Sequence, residues 1–393
     1  AARGRRAIGW DEMLEGGVPA DAIVMSWRGA KGAVDAAKLG HDVVMTPDPD
    51  LYLDHLQSDA LDEPPGRPST RTLADIHAFE AVPAGLPRDA ASHVLGAEAA
   101  LWTEHMRTAE RVEHAAFPRL DALAEALWSP QKSRDWRSFV ARLVVEMDRH
   151  RALGVRPAES AFEVRIDAKQ ERDGGFAIAL TDQGGLPIRY TTDGRDPDAR
   201  SPLYESPLHL AEPVTLRAAA FAGERRLASV RTQAFTRESA LERAGAALGQ
   251  CSGRLVLRLE DDAPAQGPRA AFDVDLFDPC WTWPAAPLDG VDGVSVDVGA
   301  IPYNFQLAGD AKNIVPRPAP SSRDGELLVK RDGCSGPTLA TLPLAPAARN
   351  PALTTLSATW RATTGAHDLC FVFATHGTDP LWAIDRVRLL HPR

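Results

Sequence analysis

The first 160 or so residues predict an α/β fold of the parallel, barrel-forming kind, and the remainder predicts two all-β domains. Two observations carry the α/β part. Short apolar runs alternate with helical segments, and four of those runs lead into an aromatic residue, three of them with a carboxylate close behind. The runs are Ala7-Ile8-Gly9-Trp10-Asp11-Glu12, Ile23-Val24-Met25-Ser26-Trp27, Val43-Val44-Met45-Thr46 leading to Tyr52-Leu53-Asp54, and Leu95 to Ala100 leading to Leu101-Trp102-Thr103-Glu104. Core aromatics usually lie within strands. Aromatics repeated at the far ends of strands stand where an α/β barrel builds its site. An aromatic floor rimmed with carboxylates suits a ring with apolar faces and hydroxyl edges, which points to a sugar.

The elements follow in order. Gly29 to Leu39 reads as a short helix between the second and third strands. Ala109 to Leu127 carries mixed helical periodicity, interrupted at Pro118. Ser133 is the expected N-cap of a last helix, along which Trp136, Phe139, Val140, Leu143, Val144 and Met147 recur at helical spacing until Gly154 and Pro157 stop it. Trp128 and Trp136 are read as core. Only about four strands fit here, half of an eight-stranded barrel.

From 161 to 238 alternating runs at 176–180 and 214–220 predict a small antiparallel sandwich. The Asp193-Gly194 pair between them marks a tight turn, and the nearby carboxylates Asp196 and Asp198 lack the ligand spacing of a calcium loop. From 239 to 393 strand-like runs at 254–259, 293–298, 326–330 and 368–373 predict a β-sandwich, and the region resembles a carbohydrate-binding one. Trp281 and Trp283 stand two apart on one strand face; core filling is favoured over a sugar platform. Asp273, Asp275 and Asp278 read as a solvated strand edge rather than a calcium site.

Composition narrows the class. The formal net charge of −10 and the absence of a Lys/Arg block argue against a nucleic-acid partner. No apolar run approaches membrane-spanning length, so no membrane partner is expected. The opening Ala1-Ala2-Arg3-Gly4-Arg5-Arg6 has no apolar stretch after it and is not a signal peptide. It also lacks an initiator Met and runs almost directly into a strand, which reads as a chain starting inside a fold. All four cysteines (Cys251, Cys280, Cys334, Cys370) fall in the last third. An even number confined to a strand-rich segment fits one or two disulfides, with four buried thiols as the alternative. Their wide spacing matches no zinc signature.

The Trp10 strand, the Trp27 strand, Tyr52-Leu53-Asp54 and the run from Gly96 to Glu104 resemble, in order and spacing, the family 20 glycoside hydrolases, the β-N-acetylhexosaminidases. The resemblance covers residues 1 to about 157 and implies the C-terminal half, strands five to eight, of a (β/α)8 TIM barrel. Ala124-Glu125-Ala126-Leu127-Trp128-Ser129 resembles the helix after strand eight. The 161–238 segment, with Tyr190-Thr191-Thr192-Asp193-Gly194-Arg195-Asp196-Pro197, is similar to the small chitobiase C-terminal-like domain that follows bacterial members.

The resemblance also implies roles. Trp10, Trp27 and Trp102 would wall the pocket for a terminal N-acetylhexosamine, with Trp102 as its floor. Tyr52 would hydrogen-bond the acetamido carbonyl, the nucleophile of this family's substrate-assisted, retaining reaction. Asp54 and Glu104 would accept hydrogen bonds from the C4 and C6 hydroxyls. No cofactor or metal is called for. The substrates would be N-acetylglucosaminides or N-acetylgalactosaminides, and the location periplasmic or extracellular.

One departure is large. The catalytic Asp-Glu pair of the family lies in His-x-Gly-Gly-Asp-Glu on strand four, and this sequence contains no such motif. Asp11-Glu12 follows the strand-five Trp without preceding glycines and does not replace it. His55 and His105 adjoin site residues and stay unassigned. The expectation is the recognition half of a hexosaminidase, a fragment inactive alone and prone to self-association through open barrel edges. The rival readings are a non-catalytic carbohydrate-binding protein and a truncation product without activity.

Overall fold

The computed structural model describes residues 4–60, 62–170, 175–211, 213–260 and 270–392. Ala1 to Arg3 of the basic opening lie outside them. The chain divides into two compact units, one up to about residue 233 and one from about 234 onward, with short pieces near 175 and 213 counting with the second.

The first unit begins with β1 (Ile8–Trp10), β2 (Ile23–Ser26), β3 (Val43–Met45), the short β4 (His55–Leu56) and β5 (Arg67–Thr70), and β6 (Val94–Ala97). Strands β1, β2, β3 and β6 form one parallel sheet in chain order. Helices α1 (Met13–Gly16), α2 (Ala30–Lys38), α3 (Leu73–His77) and α4 (Arg88–Ala91) fall between the strands. Helix α2 buries Ala33, Ala36 and Ala37 against Val24, Val43 and Met45. Small residues let it sit close to the sheet. Gly32 closes the contact further: a Cβ there would stand 2.6 Å from a carboxylate oxygen of Asp11 and 2.9 Å from the Ser26 hydroxyl.

After β6 come α5 (Ala109–Ala116), α6 (Arg119–Trp128) and α7 (Trp136–Ala152), with the expected break at Pro118. The N-cap of α7 is Asp135, whose side chain accepts from the Ser138 N–H, and not Ser133. Ser133 ends a preceding 3-10 turn, where its hydroxyl donates to the Pro130 carbonyl. Phe139, Val140, Leu143, Val144 and Met147 of α7 are buried with Leu51, Leu53, Ile76 and Phe162, and Trp136 packs partly buried against them. Trp128 does not join this core: it is 88% exposed. At 3.6 residues per turn it falls away from the helix face that carries Ala122 and Ala126.

The segment that follows holds β7 (Arg165–Gln170), β8 (Phe176–Thr181), β9 (Ile188–Thr191), β10 (Leu208–Leu210), β11 (Val214–Ala222), β12 (Arg225–Arg226) and β13 (Arg231–Phe235). They make two small sheets, β10-β8-β7 and β12-β11-β13 with β9 antiparallel on β11. At the Asp193-Gly194 turn, Asp193 accepts from the Arg195 N–H at 3.0 Å and from its guanidinium, while Asp196 pairs with Arg217 and Arg226. These carboxylates are occupied by arginines.

The second unit, after α8 (Arg237–Ala240), carries β14 (Glu242–Ala244), β15 (Gly249–Gln250), β16 (Val256–Glu260), β17 (Ala271–Asp275), β18 (Cys280–Pro287) and β19 (Gly293–Ile301). It ends with β20 (Glu326–Arg331), β21 (Thr338–Pro343), β22 (Thr354–Thr359), β23 (Ala366–Ala374) and β24 (Leu381–Leu390). Two sheets, β14-β24-β19-β22 and β15-β18-β23-β20-β21, contribute to one core. Trp281 and Trp283 are 0% and 3% exposed in that core, so neither offers a platform to a sugar. Asp275 is also fully buried rather than a solvated edge, accepting from the Ser252 hydroxyl and the Phe277 and Arg254 N–H groups. Asp273 pairs with Arg258. Disulfides join Cys251 to Cys280 and Cys334 to Cys370.

Burial sets a contrast between two aromatics of one helical hairpin. Phe139→Ala is expected to destabilise the first unit by about 3–5 kcal/mol, and Trp128→Ala by no more than about 0.5 kcal/mol. Urea unfolding followed by fluorescence checks both, and equal effects would contradict the packing described.

Candidate functional site

Hydrogen bonds beyond the strand ends draw the site residues together from the sheet outward. The Ser26 carbonyl accepts from Thr46 N–H and the Trp27 carbonyl from Asp48 N–H, both continuing β2 onto the segment after β3. Leu53 N–H donates to the Ala100 carbonyl and Ala100 N–H to the Leu51 carbonyl, a parallel bridge that sets Tyr52 beside the segment leaving β6. Alternation then sorts the side chains. Leu51 and Leu53 enter the core, while Tyr52 and Asp54 turn to the opposite side.

There the Tyr52 and Trp102 rings lie 6.4 Å apart, and the Arg67 guanidinium stands 5.5 Å from the Tyr52 ring centroid. Arg67 also reaches Asp48 at 3.0 Å and Asp54 at 3.6 Å. His55 bridges Asp48 at 3.0 Å and the Ser69 hydroxyl at 3.1 Å, so it holds the loop in place. Trp27 donates its indole N–H to Glu12 at 3.0 Å. Trp10 and Glu104 are exposed at the ends of the first and last of the four segments, and the described contacts tie neither to the Tyr52 group. Tyr52, Asp54 and Trp102 are thus brought together, Trp27 is joined to them through the Asp48 segment, and Trp10 and Glu104 stand apart.

The charges follow from burial. Both Asp54 carboxylate oxygens are shut off from solvent and lack a hydrogen-bond partner among the described residues. Burial raises the Asp54 carboxyl above its ordinary value, partly opposed by the charge of Arg67. A buried acceptor with no donor is rare in folded proteins. Burial also raises the Tyr52 phenol, which keeps it a protonated donor at neutral pH. The His105 imidazole is pushed down by burial and is neutral.

Asp11 and Glu12 are committed elsewhere. Asp11 is buried and accepts from Ser26, from the Arg28 N–H and from the Arg28 Nε at 2.9 Å. A hydrogen bond from its own backbone N–H holds the Glu12 carboxyl below its usual range, helped by the Trp27 indole and Arg28. Both hold neighbouring groups of β1 and β2 in position.

Two positions escaped the sequence reading. Arg67 follows Pro64-Pro65-Gly66, and the glycine was a usable signal. A Cβ on Gly66 would stand 2.8 Å from the Asp54 carbonyl, so only glycine lets the Arg67 N–H reach that carbonyl. Arg119 had no such signal. It is fully buried at the start of α6 and donates to the carbonyls of Leu53, His55, Arg71 and Ala115. The first two flank Asp54, and Ala115 closes the C-terminal end of α5, where a cation is favoured. Burial pushes the guanidinium down to about 9, opposed by Glu63 and Asp54, and it stays charged at neutral pH.

Arg119→Met is expected to cost roughly 3–5 kcal/mol, because the carbonyls left behind are buried without donors. Denaturant unfolding of the first unit measures it, and a change under about 1 kcal/mol would refute the role. Asp54 has its folded pKa above the ordinary 3.8. Its protonated form therefore favours folding at low pH, and that contribution is lost as pH rises through the folded value. Asp54→Asn should accordingly raise the melting temperature at about pH 7 and change it little below about pH 3; a lower melting temperature at neutral pH would contradict this.

Comparison with known proteins finds similarity in the first part of the chain. Residues 1–131 match the model of the glycosyl hydrolase family 20 catalytic domain, and residues 178–235 match the Fn3 associated model. A beta-hexosaminidase of Porphyromonas gingivalis is 40% identical over 223 residues, covering 53% of this chain and 27% of the relative. A beta-N-acetylhexosaminidase of Cellulomonas fimi is 32% identical over 147 residues, covering 36% and 29%. A solved exo beta-N-acetylglucosaminidase of Vibrio harveyi in complex with N-acetylglucosamine is 33% identical, with a TM-score of 0.36 over 39% of this chain and 25% of that one. The chain thus spans about a quarter of the length of these relatives. By the family match and the sequence relatives, residues 1–131 resemble part of a glycosyl hydrolase family 20 catalytic domain.

Proposed function

We propose that the first unit is the sugar-recognition part of a β-N-acetylhexosaminidase, an enzyme that removes terminal N-acetylhexosamine residues by a substrate-assisted retaining route. The observation that carries this reading is the buried Asp54 carboxylate, without a hydrogen-bond donor, beside the Tyr52 phenol and the Trp102 ring. A hydroxylated ring supplies what each lacks. Its C4 hydroxyl donates to Asp54, its apolar face lies on Trp102, and Trp10 and Trp27 complete the wall. Glu104, exposed beyond Trp102, takes the C6 hydroxyl.

The chemistry expected of Tyr52 is positional. A protonated phenol donates to the acetamido carbonyl oxygen and holds it for attack on the anomeric carbon, so that the substrate supplies its own nucleophile. Arg67 over the ring fixes the phenol's direction. The general acid belongs to the His-x-Gly-Gly-Asp-Glu motif, which these 393 residues do not contain. Loss of general acid catalysis costs about 10²- to 10⁴-fold.

The parallel order β1-β2-β3-β6, with each site segment at a strand's C-terminal end, supports reading these strands as five to eight of a TIM barrel. The segment 161–238 and the second unit are then two sandwich domains that follow it in the chain. Ile8 on β1 and Leu95 on β6 are more than half exposed, and self-association through those outer strands is part of the proposal. The two disulfides support a periplasmic or extracellular location.

Calorimetry with N-acetylglucosamine tests the reading, beside turnover of a chromogenic N-acetyl-β-glucosaminide. The expected outcome is binding without turnover, with binding weakened about 10-fold in Tyr52→Phe. Binding that Tyr52→Phe and Trp102→Ala leave intact would overturn it. Binding confined to the second unit would favour a non-catalytic carbohydrate-binding protein.

A further inference from the structure

Every cysteine of the chain converges on one edge of the second unit. Extending the antiparallel register of β15 and β18, in which Gly249 faces Thr282 and Gln250 faces Trp281, brings Cys251 opposite Cys280. On the next strand Cys370 faces Thr282, which makes it the diagonal neighbour of Cys280 on the same sheet face. Lys330 of β20 faces Cys370 in turn. The turn after β20, with Asp332 and Gly333 at positive φ and the Gly333 N–H bonded to the Asp368 carbonyl, folds Cys334 back onto the group. All four Sγ atoms lie within 4.8 Å of one another, and Cys251 and Cys334, which belong to different disulfides, are 3.7 Å apart.

Two adjacent disulfides need no such convergence of all four sulfurs, but a tetrahedral thiolate site does. Zinc–sulfur bonds of about 2.3 Å set the sulfurs of such a site about 3.8 Å apart. We propose that this cluster is a soft-metal site in competition with its own disulfides: two S–S bonds when oxidised, one four-coordinate zinc-class cation when reduced. The cluster's widest separation would shrink by about 1 Å and each bonded pair would open by roughly 1.7 Å, with Cys280 held on β18, Cys370 on β23 and the other two on the segments beside β15 and β20. Cys280 and Cys370 are buried, which shields the metal from water on the core side. Lys330 opposite Cys370 offers positive charge to the thiolates.

The conversion balances. Two equivalents of a dithiol deliver two electrons and two protons to each S–S bond and close to cyclic disulfides themselves. The four thiols then release four protons as one divalent cation binds, leaving a centre of net charge −2. Wide spacing along the sequence hides the cluster, because its ligands come from two strands and two separate connecting segments rather than from one short loop.

The test uses the full chain, reduced anaerobically with a dithiol, desalted, and titrated with Co²⁺ and then Zn²⁺. The expected result is one Co²⁺ per chain with an intense thiolate-to-cobalt charge-transfer band, displaced by one Zn²⁺, and lost when urea unfolds the chain. Equimolar Zn²⁺ should slow the reaction of the four thiols with a thiol reagent by at least about 10-fold, and Cys334→Ser should weaken Co²⁺ binding by at least about 100-fold. Disulfides that resist the dithiol in the folded chain, a reduced chain without the charge-transfer band, or binding that survives unfolding would each overturn the proposal. The thiol-protection arm needs no variant, so misfolding of Cys334→Ser leaves the test intact.

Discussion

The buried guanidinium of Arg119 is the constraint on which the candidate site depends. The loop carrying Tyr52 and Asp54 leaves the sheet after β3 and must run through the protein interior, where main-chain carbonyls have no water to bond. Arg119 supplies their donors. Its planar fork reaches the carbonyls of Leu53 and His55 on either side of Asp54, that of Arg71 after β5, and that of Ala115 at the end of α5. One side chain thus fixes three segments of backbone around the position where a carboxylate must be buried. The charge is offset in part by Glu63 and Asp54 themselves.

From that anchor the electrostatics of the site follow. Asp54 is held where desolvation raises its carboxyl, and the 3.6 Å gap to Arg67 leaves it paired in charge but not hydrogen-bonded. Such a group is costly to the fold and useful to a ligand. It stabilises little on its own and gains most when a hydroxyl donor arrives. Arg67 divides itself among Asp48, Asp54 and the Tyr52 ring, so the donor phenol and the acceptor carboxylate share one positioning residue. Asp11 plays the matching part on the other side of the sheet end, where it fixes Arg28 and Ser26 below the Trp27 segment.

The second unit reaches order by different means. Its two sheets share a core of Trp281, Phe373 and Trp382, with Trp281 edge-on to Phe373 and Trp382 stacked near it. The tryptophans that stand two apart in the sequence are inward residues of a β-strand, and one of them satisfies its indole N–H on the Asp273 carbonyl. Nothing in the alternation of Trp281 and Trp283 distinguishes a sugar platform from a core; only the covering sheet does.

What the sequence determined by itself was the order of the elements and the identity of most aromatic and acidic positions. Helical spacing from Phe139 to Met147 and the break at Pro118 are local properties, and they reappear in α5, α6 and α7. The motif ends Trp27, Tyr52-Leu53-Asp54 and Trp102 were legible because strand termination and residue type coincide there. Trp128 and Ser133 were misjudged because spacing alone does not say which face of a helix is covered or which of two neighbouring polar residues caps it. Arg119 was invisible for a deeper reason, and Arg67 was marked only by the glycine before it. Each acts through partners distant in the chain, and arginine's usual place is the surface. The same holds for the four cysteines, whose convergence depends on strand register. Local chemistry is written along the chain; which charges meet, and which are denied water, is decided only when the chain closes on itself.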